Sequence, residues 1–164
     1  MREVYKGLYV GDDDDYLATK DKSDWAIVRA AKDGPGGHRD TLGYHTQGAP
    51  KGPDYLFTKK KNVLALNLID VDDPSFIKDE LIDEALKFIK DERAKDKKVL
   101  IACNAGVSRS PSIALLYLYT EGKLPTPYSQ AMRTFRKLYP KYDPSAGIHI
   151  FTRRKISQLR AHNG

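Results

Sequence analysis

Residues 98–119 read KVLIACNAGVSRSPSIALLYLY, and this stretch decides the architecture. Lys98 to Ala102 is a short strand-like apolar run, and Ile113 to Tyr119 is a strongly apolar helical run that ends near Gly122. Between them lie Cys103, a loop containing Gly106, and the helix start at Arg109-Ser110-Pro111. A buried strand, a tight loop and a helix start in that order make an anion site. The loop N–H groups turn inward and the helix end adds partial positive charge. Gly106 admits backbone angles that other residues resist. Arg109, six residues after Cys103, can reach back over the loop with a planar fork that matches two phosphate oxygens. The same field acts on the sulfur: a thiol at a helix N-terminus beside an arginine is drawn below the free value of ~8.5, and the thiolate is the nucleophile. Cys103 is therefore the candidate nucleophile. Asn104, Ala105, Gly106, Val107, Ser108 and Arg109 form the candidate phosphate cradle, and Ser110 is placed to hydrogen-bond the sulfur and help it leave.

Outward from this loop, residues 4–10 read as a first strand, ended by Gly11 and the run Asp12 to Asp15, which reads as a solvated loop. Trp25 to Val28 read as a second strand. Residues 33–54 are rich in Gly and Pro and read as a long irregular loop, a kind that is often functional inside a compact domain. His38, Arg39 and Lys32 are candidates to line a cleft there. Residues 62–69 read as a buried strand, and Asp73-Pro74 opens a helix to about residue 94 by the Asp N-cap and Pro-first logic. Thr126-Pro127 and Asp143-Pro144 open two more helices by the same logic. Strands alternate with helices early and helices dominate late. That predicts an α/β fold with a mixed, largely parallel central sheet flanked by helices. Strand 62–69, helix 74–94 and strand 98–102 have the length of a crossover joining parallel strands.

Composition narrows the classes. The 164 residues suit one domain, 1–164, and 40% apolar with 30% charged content suits a soluble globular chain. No run approaches the ~20 apolar residues of a membrane helix, and the first residues lack a signal-peptide pattern, so a cytoplasmic protein without membrane contact is expected. The lone cysteine excludes an internal disulfide and a thiolate metal cage. His38 and His45 have no ligand-spaced partners, so no metal and no cofactor are expected. The net charge of +6 favours anionic partners. Lys59 to Lys61, the Arg133, Arg136 and Lys137 group, and Arg153 to Lys155 read as solvated faces.

The chain resembles the dual-specificity branch of the cysteine-dependent protein tyrosine phosphatase superfamily, over most of its length. Gly7-Leu8-Tyr9-Val10-Gly11 is similar to that family's opening strand, and residues 103–110 to its signature. Tyr139-Pro140 through Asp143-Pro144-Ser145 and Gly147 resemble its last inter-helix turn. The resemblance implies a metal-independent hydrolase acting on phosphotyrosine and phosphoserine or phosphothreonine in proteins through a phosphocysteine intermediate. A monomer is expected. It also implies a general acid, an aspartate about thirty residues before the cysteine. Asp72 lies 31 residues before Cys103 and is the first candidate, with Asp70 and Asp73 as alternatives on the same loop. The contribution of such an acid is typically ~10²–10⁴-fold.

Residues 66–73 also resemble the strand and Asp-x-Asp of the haloacid dehalogenase phosphatases, which need magnesium, but Pro74 stands where that family prefers Thr or Val. The chain departs from the dual-specificity pattern at Ala102, where a histidine that bonds the loop backbone is usual, and at Arg29, near a position often held by a loop-bracing asparagine. Weakened activity is expected from Ala102. A phosphate-binding pseudophosphatase and an RNA 5′-end phosphatase stay open as alternatives, the latter because the basic charge permits nucleic acid; the aromatic signatures of RNA binding are absent.

Overall fold

The computed structural model describes residues 1–163, and the side chains of residues 1–159. Six strands form one sheet: β1 Arg2–Tyr5, β2 Leu8–Gly11, β3 Trp25–Arg29, β4 Phe57–Lys60, β5 Val63–Leu66 and β6 Lys98–Ala102. Their spatial order is β1-β2-β6-β3-β5-β4. The four inner strands run parallel, and β1 and β4 close the edges antiparallel. This is the mixed, largely parallel sheet expected from the alternation of elements. Six α-helices lie among the described residues: α1 Asp13–Thr19, α2 His38–Leu42, α3 Asp79–Ala94, α4 Arg109–Thr120, α5 Tyr128–Leu138 and α6 Ala146–Asn163.

Several boundaries differ from the sequence reading, each for a local reason. The first strand is a hairpin, because Gly7 takes φ 77° and turns β1 back on β2. Asp12 to Asp15 are not a solvated loop. Asp12 caps α1 through the Asp15 N–H, the Asp15 carboxylate returns to the Asp12 N–H, and three acidic residues stabilise the positive end of the helix. Asp73 does cap as expected, accepting from the Ser75 N–H at 2.9 Å, but it starts only the 3₁₀ turn Pro74–Phe76; α3 starts afresh at Asp79. The strand expected over 62–69 pairs only through Leu66, and β4 pairs beside it. The crossover through α3 joins β5 to β6 with β3 lying between them.

Alternation along the strands divides the core. Val99, Ile101 and Cys103 face the larger cluster, where α4 is buried from Arg109 to Tyr119 against the sheet, α3 and α6. Leu100 and Ala102 face the other side, joining Trp25, Ile27 and Tyr16 under α1. Cys103 thus leaves β6 into a densely packed corner, and its loop is fixed from both faces.

The Gly-rich segment is ordered by its own polar residues. His38 is buried; its Nε2–H donates to the Asp54 carbonyl at 2.7 Å and its Nδ1 accepts from the Tyr44 hydroxyl at 2.9 Å. Lys32 and Arg39 donate to the Gln47 and Thr46 carbonyls, and Arg39 also pairs with Asp33. All three tie the segment to itself; Arg39 and Lys32 also line small surface clefts, whereas His38 is enclosed and lines neither of them. Burial pushes the His38 imidazole below its ordinary range, outweighing the opposite pull of the Asp54 carbonyl and carboxylate. The unfolded chain accepts this proton near pH 6.5 and the folded chain resists it. The contribution of His38 is therefore complete above about pH 6.5 and is lost as pH falls toward the folded value. A melting midpoint that drops between pH 7 and pH 5, with a shallower drop in His38→Gln, is the expected result of thermal unfolding across that range.

Candidate active site

The loop between β6 and α4 supplies the site. Cys103 is 2% exposed, and its Sγ lies 3.1 Å from the Ser110 Oγ. Ser110 also reaches the Gly11 carbonyl at 3.2 Å. One hydroxyl has one proton, so the two contacts describe two states. With a neutral thiol, S–H donates to Ser110, which donates to Gly11. With a thiolate, Ser110 turns its proton to the sulfur. Among the described residues, the backbone N–H groups of residues 104–109 donate to no protein acceptor. A run of free N–H groups at a helix start is a seat for an oxyanion.

The loop owes its shape to contacts from outside it. Gly106 sits at φ 72°, and a Cβ there would lie 3.1 Å from the Gly11 carbonyl oxygen and 3.2 Å from the Tyr139 hydroxyl. Tyr139 donates to the Gly106 carbonyl at 2.6 Å, and the Asp143 N–H donates to the Val107 carbonyl at 2.7 Å. Burial, then the nearby charge of Cys103, pushes the Tyr139 phenol up to about 12, so it remains a donor at neutral pH. In the sequence Tyr139 marks only a turn; its hydroxyl contact spans 33 residues and has no local signal there.

Arg109 is 9% exposed and reaches back over the loop as its spacing predicted. Its Nη1 donates to the Leu68 carbonyl at 3.0 Å and its Nη2 to Asn104 Oδ1 at 2.7 Å. Its Nε is buried and has no partner among the described residues. A buried guanidinium N–H is costly to leave unpaired, and an oxygen of a bound phosphoryl group would satisfy it. Asn104 in turn donates to Asp13 Oδ1 and to the Asp33 carbonyl, each at 3.0 Å. The side chain of Asn104 therefore aims the arginine.

Of the three aspartates, Asp73 is committed to its cap, which holds its carboxyl below the ordinary range. Asp70 accepts from the Ser108 Oγ at 2.8 Å, and that same Oγ accepts from the Ser145 N–H at 3.0 Å. Asp72 is exposed, and its carboxylate has no hydrogen bond or ion pair among the described residues. The loop carrying it is held from α6: Ser145 Oγ and the Gly147 N–H both donate to the Val71 carbonyl, at 2.9 and 3.0 Å. A Cβ on Gly147 would run into that carbonyl, so the glycine is what permits the contact.

A sequence profile of the dual-specificity phosphatase catalytic domain matches residues 46–150, well over half of the chain. The chain belongs to this family. The profile's span takes in the loop, Arg109, the aspartates and the turn before α6, and leaves β1 to α2 outside it. Solved structures resemble the fold across nearly its whole length. A mouse putative dual-specificity phosphatase complexed with zinc tungstate matches at TM-score 0.68 and 17% identity, covering 98% of this chain and 89% of that one. Human DUSP28 matches at TM-score 0.65 and 16% identity, covering 96% and 93%. A leucine-rich repeat and phosphatase domain protein from Entamoeba histolytica matches at TM-score 0.65 and 16% identity, covering 99% and 94%. No curated protein sequence matches the chain. This chain thus shares its fold with these three structures at only 16–17% identity. No helix among the described residues is long and apolar enough to cross a membrane.

Proposed function

We propose that this dual-specificity phosphatase family member hydrolyses phosphate monoesters on proteins, phosphotyrosine and phosphoserine or phosphothreonine, without a metal. The observation that carries the reading is the corner itself: a sulfur hydrogen-bonded to Ser110, beneath a run of unpaired N–H groups and an arginine whose Nε awaits an acceptor. The Cys103 thiolate attacks phosphorus, the ester P–O bond breaks, and the leaving oxygen takes a proton from Asp72. Water then attacks the phosphocysteine, giving its proton to the Asp72 carboxylate, and the S–P bond breaks to release phosphate. Ser110 donates to the departing thiolate. Arg109 and the loop amides stabilise the charge on the equatorial oxygens throughout. The assignment of Asp72 rests on its spacing and on a carboxylate that no structural bond occupies. Asp70, bonded through Ser108 to the loop, holds the acid loop and the phosphate loop together.

The acid is tested through its leaving group. Asp72→Asn is expected to lose about 10²-fold or more in kcat on a phosphotyrosine or phosphothreonine peptide. The loss on p-nitrophenyl phosphate should be smaller, because that leaving group needs less help from a proton. Asp70→Asn should show no such dependence on the leaving group. A silent Asp72→Asn beside a leaving-group-dependent Asp70→Asn would move the acid to Asp70. Loss of wild-type turnover in excess EDTA would overturn the metal-free reading.

A further inference from the structure

Arg29 is fully buried, and its guanidinium is spent on the loop's strand end. Nη1 donates to the Cys103 carbonyl at 3.0 Å and to the Ala102 carbonyl at 3.2 Å, and Nε donates to the Pro35 carbonyl at 2.9 Å. Nη2 pairs with Asp13, and the guanidinium carbon lies 5.0 Å over the Tyr16 ring. Arg29 is the cross-strand partner of Ala102 in the β3–β6 register, and both side chains face the α1 side of the sheet. A buried cation is expensive unless something requires it, and half of this one's hydrogen bonds go to the nucleophile and the residue before it.

We propose that Arg29 is the positioning residue of the nucleophile, holding the Cys103 carbonyl and supplying a fixed positive charge behind the sulfur, with Asp13 setting how much of that charge the sulfur feels. This rests on the reading of Cys103 as nucleophile. Arg29 is wholly enclosed, whereas the Asp13 side chain is 35% exposed and partly screened by water, so the cation is the stronger influence inward. The Asp13 carboxylate also receives Asn104, the residue that aims Arg109, so one ion pair holds both the nucleophile and the phosphate-binding arginine. The other charged or titratable groups at this corner are Arg109 on α4, Asp12 and Asp15 at the start of α1, Tyr16 on α1, Tyr139 after α5, and Asp70 on the loop after β5.

The chain has one cysteine, so alkylation by iodoacetamide followed against pH reads Cys103 alone. Arg29→Met, which fills the space without charge, should move the alkylation midpoint up by about one pH unit. Arg29→Lys should stay closer to the parent than Arg29→Met. Asp13→Asn keeps an Oδ1 acceptor for both Arg29 and Asn104 and removes the opposing charge, so it should move the midpoint down. A merely structural role would loosen the loop in both Arg29→Met and Asp13→Asn and shift them the same way. Shifts in one direction, or an unmoved midpoint, would overturn the proposal. Should Arg29→Met fail to fold, the sign of the Asp13→Asn shift decides alone. Alkylation needs no turnover, so a phosphatase reading lost through an active Cys103→Ser is distinguishable from a role lost by Arg29.

Discussion

Cys103→Ser is expected to end turnover, with a fall on the order of 10⁴-fold or more in kcat on p-nitrophenyl phosphate and on a phosphotyrosine peptide. A serine hydroxyl holds its proton far more tightly than a thiol, and among the described residues no base is hydrogen-bonded to position 103. Its neighbour Ser110 is itself a hydroxyl whose alternative partner is the Gly11 carbonyl. On the proposed function, the phosphate seat does not depend on the sulfur. The N–H groups of residues 104–109 and the unpaired Nε of Arg109 are all present in the variant, so inorganic phosphate or a phosphopeptide should still bind with affinity near that of the parent. Isothermal titration beside a turnover assay checks both halves. Wild-type turnover in Cys103→Ser would remove the phosphocysteine mechanism. Phosphate binding by the parent with no turnover on any substrate would instead leave a binding protein with an intact cradle.

What the sequence could and could not reveal follows from the range of each interaction. The strand, loop and helix start around Cys103 to Ser110 were legible because they are local: strand, glycine, arginine and helix start lie within a dozen residues. The parallel sheet was legible because alternation of apolar runs reports it. The supports were not. Tyr139 reaches Gly106, Arg29 reaches Cys103 across 74 positions, and Asn104 reaches Asp13 across 91, and no spacing rule links such pairs. Ala102 alone suggested a weakened loop. Only the strand register, which sets Arg29 opposite Ala102, and the hydrogen bonds of Arg29 to the Ala102 and Cys103 carbonyls show that a charged side chain braces this strand end. The acidic run at Asp12 to Asp15 misled for a related reason: consecutive aspartates look like a solvated turn until one sees that α1 begins there and that Asp13 serves Arg29 and Asn104. β4 escaped notice because Phe57–Lys60 is an edge strand with two exposed lysines, a composition that conceals pairing.

Arg109→Lys is the second large effect, and it separates charge from shape. Lysine keeps the positive charge but is a point donor on a flexible stem, whereas the guanidinium here has two fixed directions in use and a third set by them. One direction is the Leu68 carbonyl, one is Asn104 Oδ1, and the third, Nε, is unpaired within the described protein. The first two clamp the plane of the guanidinium between the end of β5 and the loop. The third therefore has a set direction, and on the proposed function it would meet the phosphoryl group with little reorganisation in the transition state. Lysine cannot make both clamps and also face the phosphoryl group. A loss on the order of 10³-fold in kcat/KM is expected, with weaker phosphate binding as well, because the same donor serves ground and transition states. The Leu68 contact also ties the start of α4 to the segment after β5, so a modest fall in Tm should accompany the loss. Turnover and phosphate titration at a temperature well below that Tm separate the two effects. Full activity in Arg109→Lys would mean that a point charge over the loop suffices and that the planar fork plays no part in the chemistry.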